Sequence, residues 1–188
     1  CWEWLEPSGI EARRASVAKD EGLRADREAA TIDLVAVGEQ QSEVEHGFEG
    51  SQSETGMHAG MRWRRGGDFS YTLNAGEVKA ARLEVTVYGG DDPIPTEVWA
   101  NGVLMDNWTV DAELEDGLQR KVQCIPEEVM KAGSDGAVTV RFVGKDTATR
   151  RIFGVRLLRS GPRAEASNPI IWADVPDMAM IRMGDTYY

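Results

Sequence analysis

TEVWANGVLMDNWTV, residues 96–110, decides the fold class. Side chains that favour strands stand on both sides of Asn101-Gly102, a dipeptide that tolerates the positive φ angles of a type I′ turn. The stretch therefore predicts two antiparallel strands joined by a two-residue hairpin. Working outward, TIDLVAV (31–37) and DFSYTL (68–73) alternate, and ARLEVTVY (81–88) sets Leu83, Val85 and Val87 on one face. LQRKVQCI (118–125), AVTVRFV (137–143) and IFGVRLLR (152–159) complete the set, with a one-turn helix at 126–130 and a Gly/Ser/Asp turn at 133–136 between them. About eight short strands without helix–strand alternation predict an all-β fold, an antiparallel β-sandwich of jelly-roll type over residues 32–159. Its core should take Leu83, Val85, Val87, Val138, Val140, Phe142, Phe153, Val155 and Leu157. A one-residue slip in any strand would turn its set to water.

The flanks read differently. In GIEARRASVAKDEGLRADREAA (9–30) the charges interleave, and Asp20 stands four residues before Arg24, the favourable helical spacing. Ser8 and Glu11 form a capping box. Ala15, Ala18, Gly22, Ala25 and Ala29 draw a narrow seam of small side chains. This predicts one N-terminal helix, a connector docked on another surface. Residues 160–166 are a polar linker. The expected organisation is 1–31 as the end of a preceding domain plus connector helix, 32–159 as the sandwich, and 160–188 as linker and the first strand of a further domain.

Composition narrows the partners. The 188 residues carry 21 basic and 32 acidic side chains, a formal charge of −11. That balance disfavours nucleic acid and anionic membrane, and suits neutral ligands such as sugars. A hydrophobic fraction of 41% with six tryptophans supports a real core. No apolar run is long enough for a membrane-spanning helix. Two cysteines, Cys1 and Cys124, make neither a disulfide framework nor a metal knuckle. The compartment stays open, a bacterial cytoplasm being slightly favoured over secretion.

Candidate sites follow from side-chain chemistry. Glu39, Glu43, Glu45 and Glu49 with His46 crowd one glycine-bounded loop. Calcium loops favour Asp, Asn and carbonyls, so a solvated acidic loop is the better reading. His46 and His58 lack a third zinc ligand and read instead as hydrogen-bonding anchors for the 38–61 loop. No metal or cofactor is expected. Arg62-Trp63-Arg64-Arg65 is the most binding-like patch, since an indole can stack on a sugar ring while Arg62, Arg64, His46 or His58 hydrogen-bonds its hydroxyls. The competing reading makes Trp63 a core residue and pairs the arginines with the upstream glutamates.

Two resemblances extend this reading. GEQQSEVEHGFEG (38–50), TGMHAGMRWRRGGDFSYTL (55–73) and RRIFGVRLLR (150–159) resemble the C-terminal β-sandwich appended to family 127 β-L-arabinofuranosidases. WEWLEP (2–7) and the connector helix resemble the end of the preceding sandwich in those enzymes. The resemblance implies a non-catalytic module of the galactose-binding-like type. NPIIWADVPDMAMIRMGDTYY (168–188) resembles the opening strand of the five-bladed propeller glycosidases, the xylosidase/arabinofuranosidase family 43. By that resemblance Asp177 is the general-base position, although the family has proline where this chain has Met178. Glycoside hydrolysis needs two opposed carboxyl groups. The resemblance puts the second one beyond Tyr188, so no activity is expected of this chain alone. The expected role is an accessory domain of a modular glycoside hydrolase acting on arabinose- or xylose-containing plant polysaccharide, docking adjacent domains of the same polypeptide. The alternative is a carbohydrate-binding module that targets the enzyme to such glycan.

Overall fold

The structure, a computed structural model, describes residues 7–91, 94–108, 117–144, 148–160, 182–183 and 186–187. Nine strands form the body: β1 (Thr31–Val35), β2 (Glu49–His58), β3 (Met61–Asn74), β4 (Ala81–Tyr88), β5 (Thr96–Ala100), β6 (Val103–Trp108), β7 (Leu118–Ile125), β8 (Ala137–Gly144) and β9 (Ile152–Arg159). Among the described residues three helices accompany them: α1 (Pro7–Ala30), α2 (Gln40–Glu45) and α3 (Glu127–Lys131). Every pairing is antiparallel.

One layer runs β7-β4-β9, with β1 on the far side of β9; the other runs β6-β5-β8-β3. The long strand β3 belongs to both. Arg64 pairs with Ile152 of β9, whereas Asp68 to Asn74 pair with Val143 to Ala137 of β8. Gly66-Gly67 lies between the two pairings, so the strand changes layers where no side chain resists a bend. This is an antiparallel β-sandwich of jelly-roll kind, with one long N-terminal helix.

The hairpin that sets the class forms at its expected place, with Asn101 at φ 47° and Gly102 at φ 79°. A second two-residue turn, Ala59 (φ 50°) and Gly60 (φ 75°), joins β2 to β3. Between the layers lie Leu83, Val85, Val87, Val138, Val140, Phe142, Val155 and Leu157, none more than 2% exposed, together with Phe69, Tyr71 and Leu73 of β3. Phe153 is buried too but stands outside this core cluster. The reason is a β-bulge: Thr86 pairs with Gly154, yet Val87 pairs with Ile152, leaving Phe153 as the extra residue. Ile152 takes the core position instead.

α1 begins at Pro7, so Ser8 lies inside the helix rather than capping it. A proline in the first turn is favourable because its missing N–H would have no partner there. The acidic segment 38–61, expected as one long loop, contains α2 and all of β2. β10 (Arg182–Met183) and β11 (Thr186–Tyr187) pair with each other. Asp177 and the apolar run 170–172 lie outside the described residues.

Candidate functional site

The site grows from the first half of β3. Alternation along this strand sends Arg64 to one face and Trp63 and Arg65 to the other. Arg64 reaches α2, where Glu43 is 5% exposed. Arg64 Nε donates to Glu43 Oε1 at 2.8 Å and Nη2 donates to Oε2 at 2.6 Å, a two-pronged pair that fits a planar guanidinium to a carboxylate. Glu43 Oε1 also accepts from the Gly38 amide at 2.8 Å and from the buried Tyr71 hydroxyl at 2.8 Å. Arg64 Nη1 donates to Ser53 Oγ at 2.6 Å, and its guanidinium lies 4.1 Å from the Phe48 ring centre. Burial works against the charge of Glu43, but donors from Arg64, Gly38 and Tyr71 outweigh it and hold the carboxyl below its ordinary value. Burial and the neighbouring carboxylate push the Tyr71 hydroxyl well above the usual tyrosine range. The network clamps α2 and both β2 and β3 together. Beside it lies an open depression of about 490 Å³, lined by Gln40, Val44, Phe48 and Thr55 as well as the ion pair.

Trp63 is half-buried on the opposite face. A Cβ built at Gly56 would lie 2.4 Å from its Cζ2, so the indole rests directly on the β2 backbone. Its Nε1 is buried with no hydrogen-bond partner. The guanidinium carbons of Arg65 and Arg151 lie 5.8 Å and 5.7 Å from its ring centre. Gly56→Ala is therefore expected to push the indole aside and cost about 1–3 kcal/mol, the usual range for overpacking. A denaturant midpoint and the near-UV dichroism of the variant check this. An unchanged midpoint would show that the ring is free to move.

Of the remaining expected residues, His58 packs on the Tyr88 and Phe153 rings that also flank Arg151, the neighbour of Trp63. His46 Nδ1 lies 2.6 Å from the Ser42 carbonyl and Nε2 3.2 Å from Asp33, tying the end of α2 to β1. His58 stands edge-on to Tyr88, with ring centres 4.3 Å apart, and near Phe153 at 6.4 Å. Arg62 is exposed. The structure thus brings Trp63 and Arg65 together and Arg64 to Glu43, but it does not gather Arg62, Trp63, Arg64, His46 and His58 around one cavity. Among the described residues no cluster of His, Cys, Asp or Glu could hold a metal ion.

Sequence reasoning missed two arginines. Arg151 pairs with Asp91 and lies 5.3 Å from the Tyr88 ring centre. Arg150 is 1% exposed, donates from Nη2 to the Tyr88 carbonyl at 3.3 Å, and leaves Nε and Nη1 without partners. Burial lowers the pKa of its guanidinium. Nothing in RRIFGVRLLR distinguishes the buried Arg150 from its neighbour, because only the fold shows which one turns inward.

Residues 27–158, the last turn of α1 through the end of β9, match a family of unknown function, DUF6805. The chain belongs to this family. The DUF6805 match covers the sandwich and little else. No curated protein matches the chain in sequence. Solved structures with a similar outline include a family 35 carbohydrate-binding module from an environmental isolate, at 16% identity and TM-score 0.49 over 68% of this chain and 93% of that one. A family 35 module from Clostridium thermocellum has 10% identity and TM-score 0.42 over 60% and 92%. A Podospora anserina GH26-CBM35 β-(1,4)-mannanase has 14% identity and TM-score 0.40 over 63% and 26%. Identities this low and superpositions this loose say nothing about what the DUF6805 chain binds.

Proposed function

We propose that this DUF6805 chain is a non-catalytic accessory β-sandwich of a modular glycoside hydrolase acting on arabinose- or xylose-containing polysaccharide, packed against adjacent domains of the same polypeptide. The observation that carries this reading is where the sugar-reading side chains go. Trp63 lies against Gly56, Arg64 is held by Glu43 and Ser53, and His46 by Ser42 and Asp33. Their chemistry serves the fold. Meanwhile α1 exposes Ile10, Val17 and Leu23 at 40%, 43% and 59%. A long helix with apolar side chains in water suits contact with a second body. The enzyme type rests on the sequence resemblances alone.

A carbohydrate-binding module is the second reading, favoured by the depression beside Phe48 and Arg64. Of the residues the sequence offers for it, Trp63, Arg62, Arg64, His46 and His58, only Arg64 lines that depression. Titration with arabinose-containing oligosaccharides separates the two. A targeting module should bind at roughly millimolar strength or better, about −4 kcal/mol. The chain is also expected to turn over neither nitrophenyl arabinosides nor xylosides. Turnover abolished by Asp177→Asn would overturn the accessory reading.

Residues 168–188 are proposed to open a following propeller domain. Deleting 165–188 should leave the melting temperature of the sandwich nearly unchanged. A large drop in a calorimetric scan would show instead that this segment belongs to the sandwich.

A further inference from the structure

Asn101-Gly102 does more than turn the chain. The backbone N–H of Asn101 donates to the Thr139 carbonyl at 2.9 Å, and the Thr139 amide donates in return to the Asn101 side-chain Oδ1 at 2.8 Å. Nδ2 donates to the Val129 carbonyl of α3 at 2.8 Å and lies 3.5 Å from the Ala137 carbonyl. The partners fix which end of the side-chain amide is which, since an N–H only donates and a carbonyl only accepts. A Cβ built at Gly133 would fall 2.8 Å from Nδ2, so the amide also rests on the turn after α3. One half-buried side chain thus ties the β5-β6 hairpin to β8 and α3. Gly102 beside it is exposed, with open space where a Cβ would stand.

We propose that Asn101 is a deamidation site whose reaction is gated by these ties and, once complete, undoes them. Glycine after asparagine leaves the attacking backbone nitrogen as unhindered as it can be. The Gly102 nitrogen bonds to Asn101 Cγ, the Cγ–Nδ2 bond breaks, and ammonia leaves with the proton that the glycine nitrogen gives up. Water then opens the five-membered imide at one of its two carbonyls, leaving aspartate or isoaspartate. Ring closure needs Cγ to swing over the Gly102 nitrogen, but Cγ is held between Oδ1 on β8 and Nδ2 on α3. The hairpin must open locally first, so the folded chain reacts in proportion to its open fraction. The product cannot retie. A carboxylate has no N–H for the Val129 and Ala137 carbonyls and sets negative charge against them. Isoaspartate adds a backbone carbon to a two-residue turn whose length fixes the register of β5 on β6.

The full chain is held at mildly alkaline pH, folded and in urea. Mass spectrometry of the tryptic peptide 83–120 follows the exchange of amide nitrogen for oxygen, and fragmentation separates Asn101 from Asn107. The folded chain should react roughly tenfold or more slowly than the unfolded one. Gly133→Ala, whose Cβ would run into the Ala137 carbonyl and crowd Nδ2, should bring the folded rate toward the unfolded one. Asn101→Asp should lower the melting temperature by about 2–4 °C or more, the shift for losing a hydrogen bond in a chain of this size. Equal rates in the folded and unfolded chain overturn the proposal, as does a folded Gly133→Ala chain that reacts no faster than the wild type. So does an Asn101→Asp chain that melts where the wild type melts. If Gly133→Ala fails to fold, the rate comparison on the wild type and the melting of Asn101→Asp still decide the matter.

Discussion

Glu43→Ala is expected to destabilise the chain by about 3–5 kcal/mol, the range for removing one member of a buried ion pair. The side chains of Arg64 and Glu43 are 12% and 7% exposed, so the guanidinium left behind has little water to turn to. The buried Tyr71 hydroxyl and the Gly38 amide lose their acceptor as well. Denaturant melts of the variant and the wild type measure the loss. A change under about 1 kcal/mol, the scale of a surface pair, would show that the network is solvated. The same network sets a pH dependence. The folded-state pKa of Glu43 is depressed, so its contribution is complete above the ordinary carboxylate value near pH ~4.3 and is lost as pH falls through the lower folded value. The folded-state pKa of Tyr71 is raised, so its contribution holds below the ordinary tyrosine value near pH ~10 and is lost as pH climbs beyond it. In Glu43→Ala the acid limb should flatten.

Phe142→Ala should cost about 3–5 kcal/mol by opening a cavity between the layers. Phe142 is fully buried, its ring centre lies 5.2 Å from that of Phe69, and its backbone pairs with Phe69 on one side and Val98 on the other. It therefore touches the middle of the β5-β8-β3 layer, where relaxation is hardest. Equilibrium urea unfolding should show a lower midpoint with an unchanged slope. A cost near 1 kcal/mol would place the ring at a deformable edge.

The strands were legible where the alternation of side chains was strong. ARLEVTVY, LQRKVQCI and IFGVRLLR are β4, β7 and β9 residue for residue, and Asn101-Gly102 announces its own turn. β2 was invisible because EGSQSETGMH is mostly exposed on both faces and carries no period of two. Its pairing comes from the neighbouring β3 and the Ala59-Gly60 turn, neither of which its composition reveals. Phe153 was misplaced because a bulge shifts register without leaving a mark in the residue types. Charge alone suggests that the arginines pair with upstream glutamates, and Arg64–Glu43 and Arg65–Glu54 form. What charge could not tell is that Glu43, one of several glutamates in an acidic run, is the buried one. Burial there depends on Tyr71 and Gly38, which are distant in sequence or unremarkable by type.

If the side chains around Trp63 serve the fold and the surface of this module serves neighbouring domains, as proposed, the chain should not bind glycan. Calorimetric titration of the full chain with arabino- and xylo-oligosaccharides, carried into the millimolar range, tests it most directly. No saturable heat is expected. Saturable binding that disappears in Trp63→Ala, with the melting temperature preserved, would contradict it and make the chain a carbohydrate-binding module.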